Sequence, residues 1–502
     1  MTPRIARAAL ALLLLSPACA ARQQWHGAPA ADGRASSVGA ISTLAADLDA
    51  LFDTPPFDTA LWSVRIERAG GDVLYEKNPR ALAMPASNMK IVTMATAAEA
   101  LGWDYRFETR LVAEGDVRDG VLHGDLRVIG GGDPSISSVG FGPAPLFGEW
   151  ARALRAAGIT RVTGRLIGDD NAFDDERLGS GWAWDYLAWG YAAPVSALQY
   201  GENVAVLRMR AGAREGDPVE VIASPPGHGL RILSTVRTGA PDATANIELE
   251  RLPGQPTLTV TGVVPAGRPV NIRTASIDNP TQFFVDAFRE VLVDSGITVA
   301  GPAVDIDETE GYAPSGAPRT IATHQSPPLS ELGAHFMKVS QNMYGETFLK
   351  AMGRDRAGKI LESWGIAPGT YNIADGSGLS RYNLIHASML TTILRRMYED
   401  DRHRAWFSAT LPVAGHDGTL GRRMIGTELQ RAVQAKTGTI ANARSLSGYL
   451  TAPSGERVIF SIMGNNFLRR ASEIDAVAEA ALTRVLRELA SRSPQPPAPA
   501  SR

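Results

Sequence analysis

The chain has 502 residues, 44% hydrophobic and 21% charged, a balance that lets a globular protein bury a large core. That length predicts two or three domains, and a net charge of −3 gives a nucleic-acid partner no electrostatic support. The single cysteine, Cys19, excludes an internal disulfide.

The chain opens on "MTPRIARAALALLLLSPACAARQQ". Arg4 and Arg7 precede an apolar run from Ala8 to Leu15, and small residues follow, the order of a secretory signal peptide over residues 1–20. The run is shorter than the roughly 20 apolar residues a spanning helix needs. Cys19 has two readings. "ACA" at 18–20 suits a cleavage that frees a soluble protein, with the cysteine incidental. "LSPAC" resembles a lipobox, with Ser16 where leucine is usual, and would make Cys19 a lipid anchor. Both readings place the protein outside the cytoplasm, in a periplasmic setting. Residues 21–37 read as a tether, and residues 490–502 as a disordered Pro-rich tail.

"LWSVRIERAGGDVLYEKN" holds two alternating runs about Gly70-Gly71 and predicts a hairpin. Pro85 and Ser87 open a helix, "AMPASNMKIVTMATAAEALG", that Gly102 ends. Strand-rich sequence with Gly and Asp turns follows, then a helix at "LFGEWARALRAAGI". Between 203 and 272 the runs "VAVLRMRAG", "VEVIAS", "IELERL" and "LTVTGVV" alternate at period two and predict a small all-β unit. "TQFFVDAFREVLVDSGI" is an amphipathic helix. From about 325 the chain turns helical, with Ser340, Gln341 and Asn342 on an apolar helix. "QRAVQAKTGTIANARSLSGYLTAPSGERVIFSIMGNN" predicts successive antiparallel strands with a turn at Pro453-Ser454-Gly455, and a terminal helix follows. Hairpins at both ends would build one antiparallel sheet with helices on its faces, an α+β arrangement with the middle of the chain inserted.

Ser87 and Lys90, at i and i+3, share a helix face near an N-terminus whose free N–H groups favour developing negative charge. A neutral amine there could activate the hydroxyl, provided burial or a second cation lowers its pKa. The bland alternative is a helix-start serine and a solvated lysine. Yet "IVTMATAAEAL" is apolar almost all round, and a lysine on a buried helix needs a reason. Ser340 with Asn342 forms a second polar group. Lys436-Thr437-Gly438-Thr439, on a predicted strand, forms a third. Gly438 would let a substrate backbone approach that strand, and Lys436 offers the second cation. "GGGDPS" lacks the ending of a phosphate loop and reads as a turn. None of the eight histidines makes H-E-x-x-H, so neither metal nor cofactor is expected. Asp133 and the Asp169-Asp170 pair read as turn formers, and Glu346 as a structural ion-pair partner.

In order, S-x-x-K, S-x-N and K-T-G resemble the motif set of penicillin-binding proteins and serine β-lactamases, with Gln341 where aspartate is usual. From Ser87 to Ser340 is 340 − 87 = 253 residues, far more than ordinary β-lactamases leave. With "VIGGGDPS", "GDDNAFDD", "YAAPVSAL", "SPPLSEL", "DGSGLSRYN", "LPVAGHDGTL" and "AKTGT", the chain resembles the D-alanyl-D-alanine carboxypeptidase/endopeptidase family, the class C low-molecular-mass penicillin-binding proteins, over roughly residues 40–485.

That resemblance implies a transpeptidase-like catalytic domain at 38–112 and 320–489, split by an inserted domain at 113–201 and 273–319. The insertion would hold a nested small β domain at 202–272. It implies a serine D,D-peptidase of peptidoglycan that removes terminal D-Ala or cleaves D-Ala cross-links. Ser87 would attack the carbonyl, Lys90 take its proton, and Ser340 relay a proton to the leaving nitrogen while Lys436 polarises the network. Asn342 would bind the substrate amide, and the backbone N–H groups of Ser87 and Thr439 would form the oxyanion hole. Lys436, Thr437 and Thr439 would hold the terminal carboxylate, and Asp185 and Arg381 the free end of the stem peptide. Stem peptides are then the partners and β-lactams covalent inhibitors. Two rival functions remain. A β-lactamase-like hydrolase lacks support because no short loop offers a deacylating glutamate. An inactive peptidoglycan-binding protein of the same fold is opposed by three complete motifs.

Overall fold

The computed structural model describes residues 38–137, 144–268, 271–314 and 316–492. The expected signal at 1–20, the tether at 21–37, Cys19 and residues 493–502 of the expected tail lie outside the described residues, while residues 490–492, expected in that tail, continue the terminal helix Ala471–Arg492.

Hairpins from opposite ends of the chain meet in one sheet. Leu61–Arg68 pairs antiparallel with Val73–Lys77, and Val433–Ile440, Ala443–Thr451 and Arg457–Asn465 follow one another antiparallel. Leu61–Arg68 then pairs with Arg457–Asn465, Leu61 opposite Asn465, which makes a five-stranded sheet. Val433–Ile440, the strand carrying Lys436 to Thr439, is left at its edge.

Alternation sorts the strand side chains to two faces. On Arg457–Asn465, Val458, Phe460 and Ile462 pack with Leu44, Phe52 and the terminal helix residues Leu482 and Val485. Ile459 and Met463 point the other way, into a cluster with Met94, Phe336 and Leu390. Through this second cluster runs the helix Met89–Leu101, buried at every residue from Met89 to Ala98. It is apolar all round because it is covered all round. Lys90 shares that burial, with 0% exposure. Gly102, at φ 86°, ends the helix.

The helical region after 325 departs from expectation at one point. Leu329–Lys338 and Asn342–Met352 are separate helices, and Ser340 sits in the break between them at φ 64°. A left-handed residue cannot continue a right-handed helix. Gln341 then caps the second helix, its side chain accepting from Met343 N at 3.0 Å.

Among the described residues, the middle of the chain forms three further sheets. One has seven strands: Glu108–Arg118, Val121–Ile129, Arg161–Val162, Leu166–Asp169, Thr298–Val299, Ala303–Asp305 and Pro318–Gln325. Pro145–Ala156 and Pro280–Asp294 pack beside it through Phe147, Trp150, Phe284 and Phe288. The run from 203 to 272, expected as one alternating unit, divides in two. Val204–Arg210 pairs with Glu220–Ser224 and Asn271–Ser276, while Thr257–Pro265 gathers Arg231–Ser234 and Arg237–Gly239 in parallel and Asn246–Glu250 antiparallel. The boundaries expected after 112 and before 320 fall inside Glu108–Arg118 and Pro318–Gln325, which pair with each other and so belong whole to the seven-stranded sheet.

Candidate active site

Ser87 lies on a 3-10 turn, Ala86–Asn88, that leads straight into Met89–Leu101. Ala86 takes φ 47°, a conformation that costs a residue with a Cβ about 1–2 kcal/mol. Contacts to neighbouring elements hold it there. Ser445 Oγ donates to Pro85 O at 2.6 Å, and Asn88 Nδ2 donates to Lys436 O at 2.8 Å. A Cβ on Gly378 would stand 1.9 Å from Ala86 O. Gly438, expected to admit a substrate backbone, instead makes room for this turn. A Cβ there would lie 2.6 Å from Pro85 O and 3.1 Å from Ser87 N.

Lys90 Nζ reaches three oxygens: Ser87 Oγ at 3.0 Å, Asn342 Oδ1 at 2.6 Å and Ser377 O at 2.6 Å. Asn342 Nδ2 donates to Tyr191 O at 2.7 Å, which orients the amide and turns its oxygen to the lysine. Burial pushes the Lys90 ammonium down to about 7, against the opposing pull of Asp375 and Glu346. A neutral amine has two N–H groups and one lone pair. Asn342 Oδ1 and Ser377 O can only accept, so they take both N–H groups and leave the lone pair to the Ser87 hydroxyl.

Lys436 Nζ donates to Ser340 Oγ at 2.9 Å and to Thr437 O at 3.1 Å. Burial, and then the neighbouring Lys90, holds its ammonium well below the ordinary lysine range. Burial is the main cause for both amines, and each, when charged, disfavours the proton of the other.

Two buried carboxyls stand behind Lys90. Glu346 accepts from Gly376 N at 3.0 Å and Ser377 N at 2.9 Å, where an ion pair was expected. Burial and the neighbouring Asp375 push its carboxyl up to about 7. Asp375 accepts from Gly378 N, Ser380 N, Asn383 Nδ2 and Trp182 Nε1, all within 2.8 Å. Together they fix the loop whose Ser377 carbonyl faces Lys90. A cleft of about 690 Å³ opens onto Ser87, Ser340, Asn342, Thr437 and Thr439.

Asp185 and Arg381 do not line that cleft. Asp185 is exposed on the turn Trp184–Tyr186, beside a smaller hollow that shares Tyr186 and Tyr191 with the cleft wall. Arg381 donates to Tyr186 Oη at 3.3 Å and Ala441 O at 3.2 Å. Sequence reasoning missed Ser377, whose contribution is a carbonyl that every residue type carries. It also missed Thr419, which accepts from Thr437 Oγ1 at 2.8 Å, and Arg444, which donates to Thr439 Oγ1; neither sits at a motif spacing. Among the acidic residues, Asp133 does cap a turn, accepting from Ser135 N at 2.8 Å. Asp170 is instead buried against Thr281. Asp170, Asp305 and Asp307 bring carboxylates together, with Arg177 donating to the last two.

A serine beside a buried, deprotonatable amine, set against a sheet edge in an α+β fold, defines a serine acyl-transfer site. Residues 44–488 match the model of the D-Ala-D-Ala carboxypeptidase 3 (S13) family. The chain is 33% identical over 451 residues to a D-alanyl-D-alanine carboxypeptidase of an Actinomadura species, covering 85% of this chain and 81% of the relative. It is 25% identical over 405 residues to the D-alanyl-D-alanine carboxypeptidase DacB of Haemophilus influenzae, covering 77% and 81%. The crystal structure of penicillin binding protein 4 (dacB) from Haemophilus influenzae shares the fold with a TM-score of 0.75 at 23% identity, over 89% of this chain and 98% of that one. The chain belongs to the D-Ala-D-Ala carboxypeptidase 3 family. It is a serine-type D,D-peptidase with the penicillin-binding-protein fold. Among the described residues no helix is long and apolar enough to cross a membrane.

Proposed function

We propose that the protein hydrolyses D-Ala amides of bacterial peptidoglycan stem peptides, as carboxypeptidase or cross-link endopeptidase, through an ester on Ser87. The observation that carries this is the committed geometry of Lys90, whose lone pair is left to Ser87 Oγ at 3.0 Å. Ser87 Oγ attacks the penultimate D-Ala carbonyl carbon and its proton passes to Lys90 Nζ. The tetrahedral oxygen is met by the backbone N–H groups of Ser87 and Thr439, where one lost donor typically costs about 10²–10³ in rate. The C–N bond then breaks, and the leaving nitrogen takes a proton relayed through Ser340, which Lys436 orients at 2.9 Å. Water then attacks the ester carbonyl and gives a proton to Lys90 Nζ, the acyl C–O bond to Ser87 breaks, Ser87 Oγ takes that proton back, and the acyl peptide leaves as a free acid. A β-lactam acylates the same oxygen but keeps its amine tethered, so the ester persists.

Residues 412–414 pair with the outer side of the edge strand Val433–Ile440 at Val433 to Ala435, and among the described residues no strand pairs with it beyond, so an extended peptide can add from Lys436 onward. Asp185 and Arg381, on either side of Tyr186, suit the free end of the stem peptide. The inserted unit, which takes in the whole of Glu108–Arg118 and Pro318–Gln325, supplies Tyr186 and Tyr191 to the cleft wall, with 202–272 nested within it. Such a substrate lies outside the cytoplasm, with residues 1–20 as the export signal. Incubation with fluorescent penicillin tests the reading. A stable adduct on the wild type, lost in Ser87→Ala, is expected. No adduct on the wild type would overturn it, and rapid release would indicate a β-lactamase instead.

A further inference from the structure

A peptide ending in D-Ala carries a carboxylate close to its scissile bond. Low-dielectric clefts bind such an anion only where a cation or several donors meet it. Both amines at the site are committed elsewhere: Lys90 to Ser87, Asn342 and Ser377, and Lys436 to Ser340 and Thr437 O. Burial also drives both towards neutrality. Two guanidinium groups line the cleft, Arg444 and Arg469. Arg469 is already paired with Glu473 at 2.9 Å.

Arg444 differs. It stands directly opposite Thr439 in the strand register, and Nη1 donates to Thr439 Oγ1. Among the described residues its Nε is buried without a hydrogen-bond partner, and no ion pair engages its guanidinium. With a lone pair of Thr439 Oγ1 taken by Arg444, that hydroxyl has its own proton to offer. Thr437 Oγ1 donates to Thr419 Oγ1, which likewise leaves the Thr419 proton for the cleft.

We propose that Arg444, acting with the Thr439 hydroxyl, is the anchor for the α-carboxylate of the leaving residue and makes the enzyme select that acid over its neutral amide. The inference rests on the D,D-peptidase reading. A guanidinium presents a planar fork of donors that matches a carboxylate, which a compact ammonium does not. Because Thr439 also carries the backbone N–H assigned to the oxyanion, carboxylate docking on its side chain would register the scissile carbonyl.

The test compares an acyl-D-Ala-D-Ala peptide with the same peptide ending in D-alaninamide, for wild type, Arg444→Gln and Arg444→Lys. The readout is the ratio of kcat/KM for acid over amide, measured in one preparation so that the folded fraction cancels. We expect the wild type to prefer the acid and Arg444→Gln to lower the ratio about 10- to 100-fold. Arg444→Lys should fall between the two, since it keeps charge and loses the fork. An unchanged ratio in Arg444→Gln would overturn the anchor while leaving the peptidase reading intact. No turnover of either peptide by the wild type would remove the peptidase reading and the anchor with it.

Discussion

Asn342 Oδ1 lies 2.6 Å from Lys90 Nζ, nearer than Ser87 Oγ at 3.0 Å. The asparagine thus acts on the base before any substrate arrives, occupying an N–H so that the lone pair is left for the serine. Lys90, pushed down to about 7 by burial, then sets the pH dependence of acylation. The base must be neutral, so the rate should hold above pH 7 and fall about tenfold per unit below it. Stopped-flow acylation by a labelled penicillin across pH 5 to 9 measures this. A profile flat across that range would count against Lys90 as the base.

Glu346 offers a second handle on the same limb. Its ionised form pulls the Lys90 pKa upward, as does Asp375. Glu346→Gln keeps the shape and an acceptor for one of the Gly376 and Ser377 N–H groups but removes the charge. Lys90 would then lose its proton more readily, so the acid limb should move to lower pH. Each unit of movement corresponds to about 1.4 kcal/mol. Glu346→Asp should keep the limb near its original place at a reduced rate. If Glu346→Gln lowers the plateau and leaves the limb where it was, the carboxyl only holds the loop.

Much of this site was legible in the sequence because its chemistry is written in side chains at fixed spacings. Ser87 and Lys90 share a helix face by periodicity, and the burial of that face follows from "IVTMATAAEAL". The antiparallel sheet built from both chain ends was legible from the alternation about Gly70-Gly71 and Pro453-Ser454-Gly455, while the turn at Ala441-Asn442 carries no glycine or proline to mark it. Other contributions had no such signature. Ser377 acts through its carbonyl, and Ser340 through a left-handed backbone that breaks what reads as one helix. A glycine at 438 signals a close approach to the strand, but which chain approaches depends on tertiary packing. Boundaries after 112 and before 320 were misplaced because composition shifts gradually along strands that backbone pairing treats as whole.

Gly438→Ala tests the placement of Ser87 directly. The new methyl would stand 2.0 Å from Ser445 Oγ and 2.6 Å from Pro85 O. The hydroxyl can rotate, but the carbonyl belongs to the turn that carries the nucleophile, so the turn must shift. Overpacking of this kind costs about 1–3 kcal/mol, and a displacement of about 1 Å at a reacting group can cost about 10²-fold in rate. The expected result is a modest fall in Tm with a large loss of penicillin acylation. An alanine variant that acylates at the wild-type rate would show that the turn does not depend on the glycine.

Asp185 and Arg381 should separate by substrate rather than by overall rate. Neither lines the catalytic cleft, so neither should alter turnover of a plain acyl-D-Ala-D-Ala through direct contact. Arg381 nonetheless pins Tyr186 Oη and Ala441 O, and Asp185 lies close enough to Tyr191 that, with burial and Tyr186, it helps push that phenol up to about 12. Both residues therefore border the aromatic wall over which the free end of a stem peptide would extend. Asp185→Ala should raise KM several-fold for a peptide whose stem ends in a free diamino acid and leave the plain peptide within about twofold, since an exposed charge contributes little on its own. Arg381→Ala should raise KM for both, because releasing Tyr186 loosens the wall itself. Steady-state kinetics with the two peptides decides the matter. An equal effect of Asp185→Ala on both would place the aspartate in a purely structural role.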